Sequence, residues 1–288
     1  MRLALWPRQY LRVVRATLSL AVAVLLGSAS DASAEIDTGA ECVTALHEET
    51  VAAGPLPSRL TSLLEPAGQR RLAECSQCAS YAALMANFPT QVTQAFCGVA
   101  SSVAVLNASA VQKPLTDPYR PYRYFSQCNI FNPAAREQLD LATISNEGLT
   151  LAQAAYLLNA QPGVHATCFH AGAAAAVSSV STAGVPACEI AVSTAQFRHA
   201  AADALGRPQQ FVLANFSRAT LSDDNRGGGH FSPLAAYHVP TDSLLVLDVA
   251  RYKYPPFWAD ADLLWAAMAT PDSSSGQNRG YIVVQVGP

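Results

Sequence analysis

The amino-acid sequence predicts an α+β fold, with helices gathered early in the chain and an antiparallel sheet later. Three observations point there. Cys97–Asn107 and Leu149–Asn159 are runs of small and apolar residues of helical length. After residue 205 the pattern changes to short β-branched and aromatic runs separated by Gly, Pro, Asp and Ser. The chain has 288 residues, half of them hydrophobic and 14% charged, enough for one sizeable core with two lobes.

The elements follow in order. Arg2, Arg8, Arg12 and Arg15 form a basic region, Leu18–Gly27 is an apolar stretch, and Ala32-Ser33-Ala34 is a small-x-small cleavage site. This three-part pattern predicts a signal peptide over 1–34, cut before Glu35, and a periplasmic or secreted protein. No Cys directly follows the apolar stretch, which argues against a lipid anchor, and cleavage leaves no stable membrane insertion. Residues 35–79 read as an N-terminal helical extension, with spaced apolar residues around Cys42 and at Arg59–Leu64. Cys75-Ser-Gln-Cys78 is a single CxxC, a weak zinc signal without a second pair. It reads first as part of structural disulfides, with a thiol or metal role left open.

A helix at Cys97–Asn107 opens the main domain, 80–288. Residues 111–148 are loop-rich, and Thr150 is placed to cap the helix at Leu149–Asn159. The Ala, Ser, Gly and Val-rich stretch between Cys168 and Cys188 reads as a loop insertion that a Cys168–Cys188 disulfide would close. Gln210–Phe216, His230–His238, Leu244–Tyr252 and Tyr281–Val286 read as strands, and Asp262–Ala269 as a short helix.

Charge excludes some functions. The formal net charge is −3, and removing residues 1–34 takes it to −6. No basic cluster with interleaved aromatics is present, so no nucleic-acid partner is expected. All seven cysteines follow residue 34. In an oxidising compartment an odd number leaves at least one thiol free.

Cys97 is the candidate for that thiol. A cysteine at a helix N-terminus faces the positive end of the dipole, which favours the nucleophilic thiolate. His230 follows Gly227-Gly228-Gly229, which leaves the imidazole an open approach. Asp248 lies in an apolar run, Val-Leu-Asp-Val-Ala, where a carboxylate needs a partner. If the intervening turn centres on Val239 or Pro240, strand alternation puts His230 and Asp248 on one sheet face. The carboxylate could then accept the Nδ1–H and leave the other ring nitrogen to polarise a thiol. A slip of one residue would separate them. Gln91, six residues before Cys97, could supply a side-chain N–H to an oxyanion hole.

Longer motifs surround these residues. Phe88-Pro-Thr-Gln-Val-Thr-Gln-Ala-Phe-Cys97-Gly-Val-Ala-Ser, followed by Val105-Leu-Asn-Ala108, resembles the active-site segment of the phytochelatin synthases. Gly228-Gly-His230-Phe-Ser-Pro-Leu-Ala-Ala-Tyr237 and Leu247-Asp248-Val-Ala-Arg251-Tyr-Lys-Tyr254-Pro-Pro-Phe-Trp258 extend the resemblance, as do Leu264-Trp265, Met268 and Arg279-Gly280. Gly148-Leu-Thr-Leu and Gln196-Phe-Arg198 are weaker matches. The resemblance covers roughly residues 80–287 and is closest to the short bacterial type, here with an N-terminal segment and a central insertion added.

The resemblance implies a papain-like fold, with a helical lobe carrying Cys97 packed on an antiparallel sheet lobe carrying His230 and Asp248. It implies that Cys97 is the acylated nucleophile, His230 the general base and acid, Asp248 the orienting carboxylate and Gln91 the oxyanion donor. Arg251 and Tyr254 would bind substrate, Arg251 through a glutathione carboxylate. The implied reaction attacks the Cys–Gly amide of glutathione and releases glycine. Water would then resolve the enzyme-bound γ-glutamylcysteine, or a second glutathione would yield phytochelatin. No permanent cofactor or protein metal site is expected. Cadmium or zinc ions would enter as thiolate complexes of glutathione, in keeping with heavy-metal detoxification. A homodimer stays open. Two other readings stay open too: a papain-like peptidase with another peptide substrate, and a non-catalytic periplasmic thiol or metal-binding protein using Cys75 and Cys78.

Overall fold

The computed structural model describes residues 55–172, 185, 187–222, 225 and 227–287. The expected signal peptide, Cys42 and most of the stretch between Cys168 and Cys188 lie outside the described residues.

The chain enters through strand β1 (Thr61–Ser62), α1 (Pro66–Ala73), α2 (Tyr81–Asn87) and α3 (Cys97–Ala108). Short helices α4 (Pro133–Arg136) and α5 (Leu141–Glu147) precede α6 (Leu151–Asn159). The sheet then grows through β2 (Val164–Ala171), β3 (Glu189–Ala191), α7 (Thr194–Leu205) and β4 (Gln210–Ser217). One turn of helix, α8 (Arg218–Leu221), leads to β5 (Gly229–His238), β6 (Ser243–Val246), β7 (Phe257–Asp260) and α9 (Ala261–Met268). A small ribbon of β8 (Pro271–Asp272) and β9 (Gln277–Asn278) precedes β10 (Gly280–Val286). Among the described residues the main sheet has eight strands in the order β1-β7-β6-β5-β4-β10-β2-β3. Every neighbouring pair is antiparallel except β2–β3. The fold is thus α+β around a large, mostly antiparallel sheet.

Both faces of that sheet are covered. On β4, Phe211 and Leu213 join one buried cluster with Val99 of α3 and Leu157 of α6. Val212, Ala214 and Phe216 join another with Phe197 of α7 and Leu264 of α9. A strand sandwiched between helices carries apolar residues at every position, so no alternation marks its faces in the sequence.

Several elements differ from expectation. Leu60 and Leu63 have helical spacing, but Thr61–Ser62 is an edge strand paired with Trp258 and Phe257. The extended chain sends Leu60 into one cluster and Leu63 into the other. Residues 164–171, 189–191 and 194–205, not anticipated as elements, form β2, β3 and α7. The helix at Leu151–Asn159 carries a complete capping box: Thr150 accepts from Gln153 N–H while the Gln153 side chain accepts from Thr150 N–H.

The strand expected over Leu244–Tyr252 stops at Val246. Leu247 N–H still reaches Pro233 O at 2.9 Å. One residue later the Asp248 carboxylate accepts the Ala250 N–H at 2.8 Å. A side chain that bonds its own backbone two residues on bends the chain as a turn does. Lys253 N–H to Ala250 O, 2.7 Å, completes the departure.

Candidate active site

Cys97 is the first residue of α3, and Phe96 at the N-cap makes no side-chain capping bond. The helix is sunk in the core, with Cys97 through Asn107 all buried. Gly98 permits this depth: a Cβ there would stand 3.2 Å from the Leu149 side chain and 3.4 Å from Phe231.

His230 sits at the start of β5, paired with Phe216 of β4, whose ring it meets edge-on at 5.6 Å. His230 and Asp248 come together through a register device. Next to the turn His238 pairs with Ser243 and Ala236 with Leu245. Continued unchanged, that register would send the two side chains to opposite faces. Between Ala236 and Leu234, which pairs with Val246, β5 carries one extra residue. Ala235 and Ala236 consequently share one buried cluster, while Leu234 and Tyr237 belong to the other. This β-bulge restores the parity that the expected turn centre would have supplied. His230 and Asp248 then lie on the same alternation.

The contact differs in one atom from the expected one. His230 Nε2, not Nδ1, lies 2.9 Å from Asp248 Oδ1. Nδ1 is therefore the nitrogen left for the Cys97 thiol, with which the imidazole is hydrogen-bonded. Asp248 is fully buried and His230 is 4% exposed. The same carboxylate is met by Arg218, whose Nη2 lies 2.7 Å from each of its oxygens. The Arg218 guanidinium also lies over the Tyr254 ring, 5.1 Å from its centroid. A buried carboxylate thus holds two cationic partners and a backbone N–H, which offsets its desolvation.

These contacts set the protonation states. Burial pushes the Cys97 thiol up, but the His230 hydrogen bond and charge, with the N–H groups of Phe231 and Gly98, outweigh it and the net direction is down. Burial pushes His230 down and Arg218 adds to that, yet the charge and hydrogen bond of Asp248 and the Cys97 contact carry it up. Burial opposes ionisation of Asp248, and His230 and Arg218 hold it well below the ordinary carboxylate range. A lowered thiol beside a raised imidazole favours a thiolate–imidazolium pair.

Gln91 reaches the edge of this group. Its backbone N–H donates to Val249 O at 2.9 Å, one residue from Asp248, and its side-chain Nε2 donates to Thr93 O at 2.8 Å. Tyr252, 45% exposed, brings its phenol to the Gln91 side chain and within charge range of Cys97, Asp248 and Arg218. Arg251 instead lies over the Phe88 ring at 4.7 Å. Arg218 and Tyr252 had not been singled out from the sequence. A buried Asp248 did call for a cation, and Arg218, just past β4, is the one that meets it.

Cys168 and Cys188 form a disulfide that ties β2 to the residue before β3. Cys75 and Cys78, expected in disulfides, are free thiols, as is Cys97. Among the described residues no group of three or more His, Cys, Asp or Glu is placed to share a metal ion, and no helix is long and apolar enough to cross a membrane.

Comparison with known proteins gives consistent matches. The family model described as phytochelatin synthase matches residues 51–281. Glutathione gamma-glutamylcysteinyltransferase 3 of Lotus japonicus is 32% identical over 207 residues, 70% of this chain and 36% of that protein. Glutathione gamma-glutamylcysteinyltransferase 1 of Arabidopsis thaliana is 30% identical over 206 residues, covering 70% and 36%. The glutathione gamma-glutamylcysteinyltransferase of Schizosaccharomyces pombe is 28% identical over 210 residues, covering 72% and 43%. The match spans little more than a third of the plant relatives' length.

Proposed function

The chain belongs to the phytochelatin synthase family, and from that premise we propose that it cleaves glutathione through an acyl-enzyme on Cys97. The observation that carries the reading is the buried chain of contacts from Cys97 through His230 to Asp248, with the thiol lowered and the imidazole raised.

The Cys97 thiolate attacks the carbonyl carbon of the Cys–Gly amide. The negative charge moves to the carbonyl oxygen, which a Gln91 side-chain N–H and the Cys97 backbone N–H receive. His230 gives its proton to the departing glycine nitrogen, the C–N bond breaks, and γ-glutamylcysteine stays on Cys97 as a thioester. His230, now neutral, takes a proton from water, which attacks the thioester and releases γ-glutamylcysteine. A second glutathione amine in place of water yields phytochelatin; hydrolysis is the main outcome. Asp248 holds the imidazole by Nε2 and favours its charged form. Arg218 neutralises Asp248 and presents Tyr254 beside the triad. Arg251 takes a substrate carboxylate from its position over Phe88.

The placement of Cys97 on a helix, and of His230 on the sheet with Asp248 just past it, supports a papain-like arrangement. The N-terminal pattern supports export to the periplasm or beyond. The reaction uses no permanent cofactor, and cadmium or zinc arrives bound to glutathione thiolates.

Glycine release measured from glutathione, and from an ordinary α-linked tripeptide of equal length, tests the substrate assignment. Release from glutathione alone, lost in Cys97→Ala, is expected. Equal or better cleavage of the α-linked peptide would overturn glutathione in favour of a general peptidase.

A further inference from the structure

Cys75 and Cys78 lie between α1 and α2, and the reaction above makes no use of them. They pack against Tyr237, seven residues along β5 from His230, roughly 20 Å away at strand rise. Both thiols are free and partly exposed. The Cys75 thiol donates to Tyr237 O at 3.3 Å, and the Cys78 thiol donates to Cys75 O at 3.4 Å. The Cys78 side chain lies close enough to the Cys75 sulfur to push its ionisation up.

The segment that carries them is anchored. Tyr237 N–H donates to Gln77 O at 2.9 Å, and Ala79 N–H donates to Leu205 O at 2.8 Å. The sulfurs are held together by a backbone pinned between and after them, so closing the ring orders little that is not already ordered. A closed metal site would need further donors, and among the described residues none completes a group of three. Two adjacent thiols without a third ligand suit covalent sulfur chemistry.

We propose that Cys75 and Cys78 form a reversible modification site, which takes a low-molecular-weight disulfide by thiol–disulfide exchange and closes to an intramolecular disulfide. The Cys78 thiolate attacks one sulfur of RS–SR. One RS⁻ leaves and takes up a proton, and Cys78 carries the mixed disulfide. Cys75 then releases its proton, attacks the Cys78 sulfur and expels the second RS⁻. The protein loses two hydrogens, and the small disulfide is reduced to two thiols. Cys78 goes first because burial and the neighbouring Cys78 push the Cys75 thiol up to about 11. Capping Cys78 removes its charge, the second of these causes, before Cys75 takes the second step.

The test uses the full chain carrying Cys97→Ser, which keeps the catalytic thiol out of the exchange. It is incubated with excess oxidised glutathione, alkylated and mapped by mass spectrometry. The expected result is loss of both Cys75 and Cys78 from the alkylated pool, with their peptide lighter by two hydrogens and restored by dithiothreitol. The same chain with Cys75→Ser added should stop at a glutathione mixed disulfide on Cys78. Two results would overturn the proposal: both cysteines remaining alkylatable, or a mixed disulfide that persists while Cys75 is present.

Discussion

Each side chain of the site is held in its state by the next. Cys97 is lowered because His230 is raised, and His230 is raised because Asp248 stays ionised against its burial. For the proposed glutathione cleavage, the pH profile of kcat/KM follows from the signs. The thiolate appears as pH rises through the lowered thiol value, so the acid limb lies below the ordinary thiol range. The imidazolium disappears as pH rises through the raised imidazole value, so the alkaline limb lies above the ordinary histidine range. Both limbs belong to the coupled pair. A profile with a single limb at the ordinary thiol value would contradict the ion pair. Arg218→Ala leaves a buried carboxylate with one cation fewer, and denaturant unfolding should show a loss of about 3–5 kcal/mol. Asp248 has a depressed value, so its stabilisation is present above the ordinary carboxylate range and is lost as pH falls through its folded value. Cys97, His230 and Asp248 were legible as candidates because each is odd in its local setting: a cysteine opening a small-residue helix, a histidine after three glycines, an aspartate in an apolar run. Arg218 was not, because an arginine at a strand end is ordinary until its partner is known.

Two irregular elements make the site. The bulge at Ala235 gives His230 and Asp248 a common face, and the side-chain turn at Asp248 ends β6 where the carboxylate must point at the imidazole. Deleting Ala235 should send His230 to the wrong face and reduce activity to the level of His230→Ala, with a lower midpoint in thermal unfolding. Activity near that of the intact chain would show that the bulge does not set the pairing. Sequence parity anticipated that the two residues meet, although the turn sits half a residue from its expected centre. The bulge compensates, and nothing local in Leu234-Ala235-Ala236 marks it, since two alanines suit either face. The helices at Cys97 and Leu151 were legible because their signals are local: small residues in one, a capping box in the other. β2 was missed because the partner that pairs along most of its length, β10, lies more than a hundred residues away.

At the scale of the molecule, the sheet joins the two ends of the described chain. β1 pairs with β7 at one edge, and β10 lies between β4 and β2. The Cys168–Cys188 disulfide fastens the other edge, closing a separation of 20 residues. A loop of that length stabilises by about 3 kcal/mol. Cys168→Ser with Cys188→Ser should therefore lower Tm by roughly 10 °C, with little change in kcat, since the bridge lies strands away from His230. A large loss of kcat with an unchanged Tm would contradict this division of labour. The sequence pointed to the pairing of these cysteines and read the stretch they bracket as a loop insertion; Cys168 lies in β2 and Cys188 directly before β3.

The central claim is that Cys97 carries the γ-glutamylcysteinyl group. Glutathione mixed with the protein, quenched in acid within one turnover and read by intact and peptide mass, tests it directly. The account predicts the added mass of γ-glutamylcysteine less water on the Cys97 peptide, decaying on further incubation and absent in Cys97→Ala. Glycine release with no adduct on Cys97, or release that persists in Cys97→Ala, would contradict it.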